Sequence, residues 1–265
     1  MAVALDSNKT KIAKRVVEVL EYFATGAESA TVMDIVRKYG RPQSSTSELL
    51  GALVEMGLLY KDPFSRSYRP TPRMAALGQA AQPEPIADGR LFNYMDRLAQ
   101  ASRLGVGLFG MVGTHLQVFR WTGSTEIKDN ALACGSSTLL SRSSIGLLLL
   151  STLGLTQANK LMWRLNAEAP ADDRINLAQA GELVASCERA GHVTGEAGVV
   201  PGAQATAIVL PPEICDRPLA LAVIYRPRPS IDADALVTSL RHGVAQLLGQ
   251  EPAEGSIHTP SVLAV

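Results

Sequence analysis

The sequence predicts an α+β chain in two parts: an N-terminal winged helix-turn-helix, then a larger domain in which helices mix with antiparallel hairpins. Three observations lead there. Apolar residues recur at helical spacing as far as Gly57 and then give way to a short hairpin pattern. A proline-containing stretch, Gln79-Ala-Ala-Gln-Pro-Glu-Pro-Ile, separates this head from the rest. Beyond it, helix-period and strand-period segments follow one another in the manner of an α+β fold.

In the head, Ile12, Val16, Val19, Leu20 and Phe23 form one apolar stripe, which predicts a helix that starts after Ser7 or Asn8 and ends at Gly26. Thr31 with Asp34 three residues on is a capping-box-like start for a second helix, with Val32, Ile35 and Val36 as its buried side. Gly40-Arg41-Pro42 stops it, because glycine takes the left-handed turn and proline disfavours helical geometry in the residue before it. A third helix runs from Gln43 or Ser44 with Leu49, Leu50, Leu53 and Met56 apolar, and stops at Gly57. Leu58 to Lys61 and Ser67 to Pro70 then read as two strands around the turn Asp62 to Arg66.

The first turn of the third helix, Gln43-Ser-Ser-Thr-Ser47, is small and polar throughout. Ser and Thr are mediocre helix formers, so such a run points to a surface that approaches something closely and donates hydrogen bonds. In a winged helix-turn-helix this segment enters the DNA major groove, and the hairpin lies along the backbone. The candidate DNA-binding residues are therefore Arg41, Gln43, Ser44, Ser45, Thr46 and Ser47, with Lys61, Arg66 and Arg69 on the wing. The alternative is a winged-helix protein-interaction module on a ligand-blind scaffold.

Charge supports the division. The chain has 25 Lys plus Arg and 25 Asp plus Glu, a balance that by itself gives no reason for an acidic partner. Divided at residue 80, however, the head carries 11 basic and 8 acidic residues and the remainder 14 and 17. The zero conceals +3 and −3.

In the second part a helix is expected over Ile86 to Ser102, with Leu91, Tyr94, Met95 and Leu98 on one side. Gly105-Val-Gly-Leu-Phe-Gly110 matches the dinucleotide-binding pattern GxGxxG, but the fingerprint must follow a strand and open a helix. Here a helix precedes it, and Val112 to Trp121 and Ser124 to Ala133 read as strands around Gly123-Ser124, so no nucleotide site is expected. Cys134 to Gly146 reads as a glycine and serine loop leading into a helix over Ile145 to Leu153. Amides and hydroxyls at such a start hold a carboxylate or another small anion, which makes Cys134, Ser136, Ser137, Ser141, Arg142, Ser143 and Ser144 the candidate effector-binding residues. Neither a GxSxG elbow nor a GxxxxGK[ST] loop occurs, so binding is expected rather than catalysis. A helix with Leu177, Ala180, Val184 and Cys187 on one side follows, then strands at Gln204 to Leu210 and Leu219 to Tyr225. The closing helix carries Leu236, Leu240, Val244, Leu247 and Leu248.

Cys134, Cys187 and Cys215 are odd in number and widely spaced, which fits reduced thiols and a cytoplasmic protein; the four histidines sit at no ligand spacing, so no metal and no cofactor is expected. The start MAVALDSNKTK has no signal-peptide pattern. The apolar run Ile145 to Leu150 is far short of the roughly 20 residues that span a bilayer.

Over residues 9 to 248 the chain resembles the IclR-type transcriptional regulators. The carrying segments are Arg15-Val-Val-Glu-Val-Leu-Glu-Tyr-Phe, Asp34 through Leu59, the wing to Tyr68, Gly191-His-Val and Pro201-Gly-Ala-Gln-Ala-Thr-Ala-Ile-Val. The resemblance implies a non-enzymatic repressor or activator, dimeric or tetrameric, on a pseudo-palindromic double-stranded operator. It further implies a GAF-like C-terminal domain that binds a small aromatic or organic-acid effector. The domains expected are 8–80 (winged helix), 81–103 (linker helix), 104–250 (effector domain) and 251–265 (flexible tail). The sequence departs from the family in having Leu140-Ser-Arg-Ser-Ser-Ile-Gly146 where many members have a Leu-His-Ala-Thr-Ala-like stretch, and Gly146-Leu147 in place of Gly-Lys.

Overall fold

The computed structural model describes residues 8–24, 26–123, 127, 132–170 and 174–249. The chain divides into two compact units, 1–82 and 83–265.

In the first unit, α1 (Asn8–Ala24), α2 (Val32–Tyr39) and α3 (Gln43–Glu55) precede the hairpin β1 (Leu59–Lys61) and β2 (Tyr68–Pro70), and α4 (Pro72–Ala80) follows. Val19, Phe23, Ile35, Leu50, Leu53, Leu59 and Tyr68 form the core. Two residues of the apolar patterns lie outside this core. Ile12 lies on the first turns of α1 and is 58% exposed, and Met56 falls past the end of α3 and is 59% exposed. The hairpin is tied back to the helices: Ala30 and Tyr68 exchange both backbone hydrogen bonds, at 3.0 and 2.7 Å. Helix α4 was not foreseen. It starts on Thr71-Pro72 and has no buried residue, so no apolar stripe announces it.

Helix α2 begins as its sequence implies. Thr31 Oγ1 accepts from the Asp34 amide at 3.3 Å, and Asp34 Oδ2 accepts from the Thr31 amide at 2.8 Å and from its hydroxyl at 2.7 Å. The hydroxyl bond and then the amide bond hold the Asp34 carboxyl below its ordinary pKa. Asp34→Ala is expected to cost about 1 kcal/mol of stability at neutral pH. Because the folded-state pKa is lowered, that contribution is present above the unfolded carboxylate value and disappears as pH falls through the folded one. Denaturant unfolding of wild type and variant should therefore differ at pH 7 and converge in acid.

In the second unit, α5 (Glu84–Ala87) and α6 (Arg90–Ser102) lead to β3 (Gly105–Val112), β4 (His115–Gly123) and β5 (Ser137–Leu139). Then come α7 (Ser144–Ser151), α8 (Leu155–Glu168), α9 (Leu177–Ala190), β6 (His192–Glu196), β7 (Gln204–Val209), β8 (Leu219–Tyr225) and α10 (Ala233–Leu247). The strands form one antiparallel sheet in the order β5-β4-β3-β8-β7-β6. Both faces are covered, which follows from strand period: Ala205, Ala207, Ala220 and Ala222 join the core with α7, α8 and α9, while their neighbours Ile208, Leu221 and Val223 join the core with α6 and α10.

Several expectations are corrected here. The predicted helix over Ile86 to Ser102 is broken at Gly89, whose φ of 79° starts α6 afresh. Residues 81–103, expected as a linker helix, include α6, and Leu91 and Met95 on it are fully buried in the second unit's core. The GxGxxG segment is itself strand β3. A Cβ at Gly105 would lie 1.9 Å from the Trp121 ring and one at Gly110 2.2 Å from the Phe119 ring, so these glycines make room for aromatic side chains of β4. The hairpin turns at Gly113, with Val112 paired to His115, so the strand expected over Val112 to Trp121 is β4 from His115 onward, and Val112 is the last residue of β3. The strand expected over Ser124 to Ala133 lies mostly outside the described residues, as does the tail 251–265. The helix expected at Ile145 to Leu153 is α7, one residue earlier at its start and two at its end, and α8 was missed although Ala158, Met162 and Leu165 line its inner side.

Cys134, Cys187 and Cys215 are free, and burial raises the Cys187 thiol pKa to about 11. Among the described residues, no helix is long and apolar enough to cross a membrane, and no group of three or more His, Cys, Asp or Glu could hold a metal ion.

Candidate functional site

In the first unit, the polar first turn of α3 divides between structure and surface. Thr46 is only 1% exposed, and its hydroxyl donates to the Pro42 carbonyl at 2.8 Å. Unlike its neighbours Gln43, Ser44 and Ser47, Thr46 is turned inward, and its hydroxyl bonds back one turn along the helix, a local bond typical of Ser and Thr. Ser45 donates to the same carbonyl at 3.3 Å and accepts from Arg15 Nη2 at 3.1 Å. Gln43, Ser44 and Ser47 remain exposed, and so does Glu48. Their spacing places them on one face of α3.

Arg41 stands in the turn before α3. Its Nη2 and Nε donate to the two carboxylate oxygens of Glu18 at 2.6 and 3.1 Å, and this bidentate pair braces the turn against α1. The hydrogen bonds to Glu18 and then its charge raise the Arg41 pKa further. Sequence reasoning missed Glu18, Arg15 and Glu48. The first two lie one turn apart on α1, and only the packing of α1 against α3 shows what they hold.

The wing carries Lys61, Arg66 and Arg69, all exposed. Its turn is built by Asp62, whose Oδ1 accepts from the Phe64 amide at 2.8 Å and the Ser65 amide at 2.9 Å. The Ser65 bond and then the Phe64 bond lower the Asp62 pKa. Arg66 is left-handed at φ 55°, and its amide donates to the Asp62 carbonyl at 3.0 Å.

In the second unit, the candidate effector residues separate into two groups. Ser141, Ser143 and Ser144 are buried at the start of α7, with Arg142 exposed among them. Cys134 and Ser136 lie on the preceding turn and Ser137 on edge strand β5, beside β4. Ser143 is the N-cap: its Oγ accepts from the Ile145 amide at 3.2 Å and donates to the Ala197 carbonyl at 2.6 Å. That hydroxyl is engaged in both directions by the protein itself. Ser144 is 5% exposed and its Oγ has no hydrogen-bond partner. The surroundings are tight. A Cβ at Gly146 would lie 2.1 Å from the Leu140 carbonyl oxygen, and one at Gly198 2.0 Å from that of Arg142.

A second polar cluster, unmarked in the sequence, lies on the other face of the sheet. Thr194, Thr206 and Tyr225 form a hydroxyl chain with links of 3.1 and 3.0 Å. It borders a cavity of about 380 Å³ that Gln204, Arg228 and Ile231 also line.

Residues 13–63 match the IclR helix-turn-helix domain family. No curated protein sequence matches the chain significantly. Among solved structures, the chain is similar to an IclR homologue from Microbacterium hydrocarbonoxydans complexed with 4-hydroxybenzoate, at 20% identity and a TM-score of 0.61 over 90% of this chain and 98% of that one. An IclR transcriptional regulator from Alicyclobacillus acidocaldarius is similar at 17% identity and a TM-score of 0.58, over 92% of this chain and 99% of that one. The IclR of Thermotoga maritima is similar at 10% identity and a TM-score of 0.58, over 90% of this chain and 97% of that one. Residues 13–63 are thus an IclR-type helix-turn-helix domain, and the chain that carries it has the α+β fold of the IclR transcriptional regulators.

Proposed function

We propose that this protein is a transcriptional regulator that reads double-stranded DNA with α3 and the wing and whose affinity for that DNA is set by a small organic effector in the second unit. The observation that carries the reading is the exposed polar face Gln43, Ser44 and Ser47 on a helix braced by Arg15 and the Arg41–Glu18 pair, inside a domain of the IclR helix-turn-helix family. Gln43 is suited to an adenine edge and the serine hydroxyls to bases or phosphates. Glu18 already matches the charge of Arg41, so phosphate neutralisation falls mainly to Lys61, Arg66 and Arg69. A pseudo-palindromic site needs two heads, so a homodimer or a tetramer is part of the proposal.

The start of α7 is the proposed effector region, supported by the buried hydroxyl of Ser144, which has no hydrogen-bond partner. An aromatic or carboxylate molecule is the ligand class, in keeping with the 4-hydroxybenzoate held by the similar Microbacterium protein. A regulator of this kind binds its effector without transforming it and works in the cytoplasm.

The test is fluorescence anisotropy with a labelled random-sequence duplex pool, titrated with sodium chloride and then with 4-hydroxybenzoate. Affinity is expected to fall linearly in log–log form with salt, each lost phosphate contact removing about 0.9 from the slope. Absence of binding at low salt would overturn the reading. Unchanged affinity with the aromatic acid and with other small carboxylates would remove its effector half.

A further inference from the structure

Phe64, at the tip of the wing, is 96% exposed, more than any other large apolar side chain among the described residues. Nothing about the turn requires it. The Asp62 carboxylate and the left-handed Arg66 set the backbone, and Pro63 fixes φ just before it, so the ring is presented outward from a rigid mount rather than left on a loose loop. A solvated phenylalanine carries a hydration cost that a serine or asparagine at this position would avoid. The same hairpin carries Arg66, Arg69 and Lys61, the last with its Nζ 5.5 Å from the Tyr68 ring centroid, all exposed, while the carboxylate of Asp62 is engaged by two backbone amides. An exposed apolar ring on a hairpin that carries three exposed cations fits a partner that is polyanionic and has an apolar interior.

We propose that Phe64 is a DNA contact and enters the minor groove beside the α3 site, packing its ring against sugars and the edge of a base step. The inference rests on the DNA-binding reading of the first unit and adds to it a residue that the polar and cationic inventory omits. With α3 in the major groove, the groove that flanks it is the minor one, and proteins that enter that groove frequently insert Phe, Leu, Ile or Met there. The cations neutralise phosphates on either side, and the ring supplies apolar contact and shape discrimination that they lack. The guanine 2-amino group projects into the minor groove and is the feature such a ring would meet first.

The experiment uses the full chain and duplexes enriched from a random pool by the wild-type protein. Phe64→Ala is expected to keep the wild-type melting temperature, to bind the enriched duplex about tenfold more weakly, a difference near 1.4 kcal/mol, and to keep the same salt slope. Phe64→Leu should recover part of the loss. Lys61→Ala should do the reverse, lowering the slope by about one. Replacing guanine by inosine in the base pairs that flank the α3 contact removes the 2-amino group, and should tighten wild type while leaving Phe64→Ala unchanged. Failure of the wild type to enrich any duplex would overturn the DNA reading and this proposal with it. Enrichment by wild type with equal binding by Phe64→Ala would overturn this proposal alone. So would a change of oligomeric state in Phe64→Ala at unchanged DNA affinity, because the ring would then pack against protein.

Discussion

Gly146→Ala is expected to unfold the second unit under conditions in which the wild type is fully folded. Helix propensity points the other way, since alanine in place of glycine ordinarily gains close to 1 kcal/mol. Packing reverses the sign. The added methyl would sit 2.1 Å from the Leu140 carbonyl oxygen and 2.7 Å from its carbonyl carbon and Cα, all of them backbone atoms. No rotamer change relieves such a contact, and Leu140 is fully buried on the 3-10 turn that feeds α7. Every residue of α7 is buried, so the helix has no open side toward which it can move. The cost expected is about 3 kcal/mol or more, at the upper end of overpacked cores. Both tryptophans, Trp121 and Trp163, belong to the second unit, so their fluorescence during denaturation reports that unit alone. Gly181→Ala is the control. It lies on α9 with only Asn159 Oδ1 within reach, at 3.8 Å, and should be neutral or stabilising. Equal unfolding midpoints for Gly146→Ala and wild type would contradict the close approach of α7 to the turn before it.

Ser44→Glu is expected to separate stability from binding in the opposite direction. Ser44 is exposed in the first turn of α3, whose N-cap is Pro42 with no side-chain cap. A carboxylate in that turn favours the helix by a few tenths of a kcal/mol through the helix dipole. The same carboxylate on the major-groove face meets phosphates and base acceptors, so DNA affinity should fall by about two orders of magnitude, the result of losing a contact and adding a repulsion. Thermal unfolding should therefore stay level or rise while binding disappears. Retained DNA affinity would show that α3 is not the reading element.

Much of the first unit was legible in the sequence because its determinants are local. Thr31 and Asp34 announce α2, Gly40-Arg41-Pro42 ends it, and the strand-turn-strand pattern after Gly57 gives the wing. Helix α4 was not legible, since none of its residues is buried and no stripe marks it. In the second unit the late strands β7 and β8 and helices α9 and α10 were visible from their apolar patterns. The β3–β4 hairpin was misplaced because its glycines accommodate the Trp121 and Phe119 rings rather than turns, and that relation appears only once the strands pair. The site was legible as residue types but not as exposures. Five neighbouring polar residues on α3 looked equivalent, yet Thr46 faces inward with its hydroxyl on the Pro42 carbonyl, and Ser45 is shared with Arg15 of α1, a partner distant in sequence. Likewise the serines before α7 looked like an open loop, whereas Ser141, Ser143 and Ser144 are buried and Ser143 is the cap. Phe64 was hidden by the ordinary expectation that a turn is read by its polar residues.

The most direct test of the central claim is selection from a random duplex pool by the full-length protein, sequenced after successive rounds, with Ser44→Glu carried through in parallel. The account predicts that wild type enriches a two-fold related sequence whose half-sites lie about one helical turn apart and that Ser44→Glu enriches none. A wild-type pool that stays random, or a Ser44→Glu pool that converges on the same sequence, would contradict it.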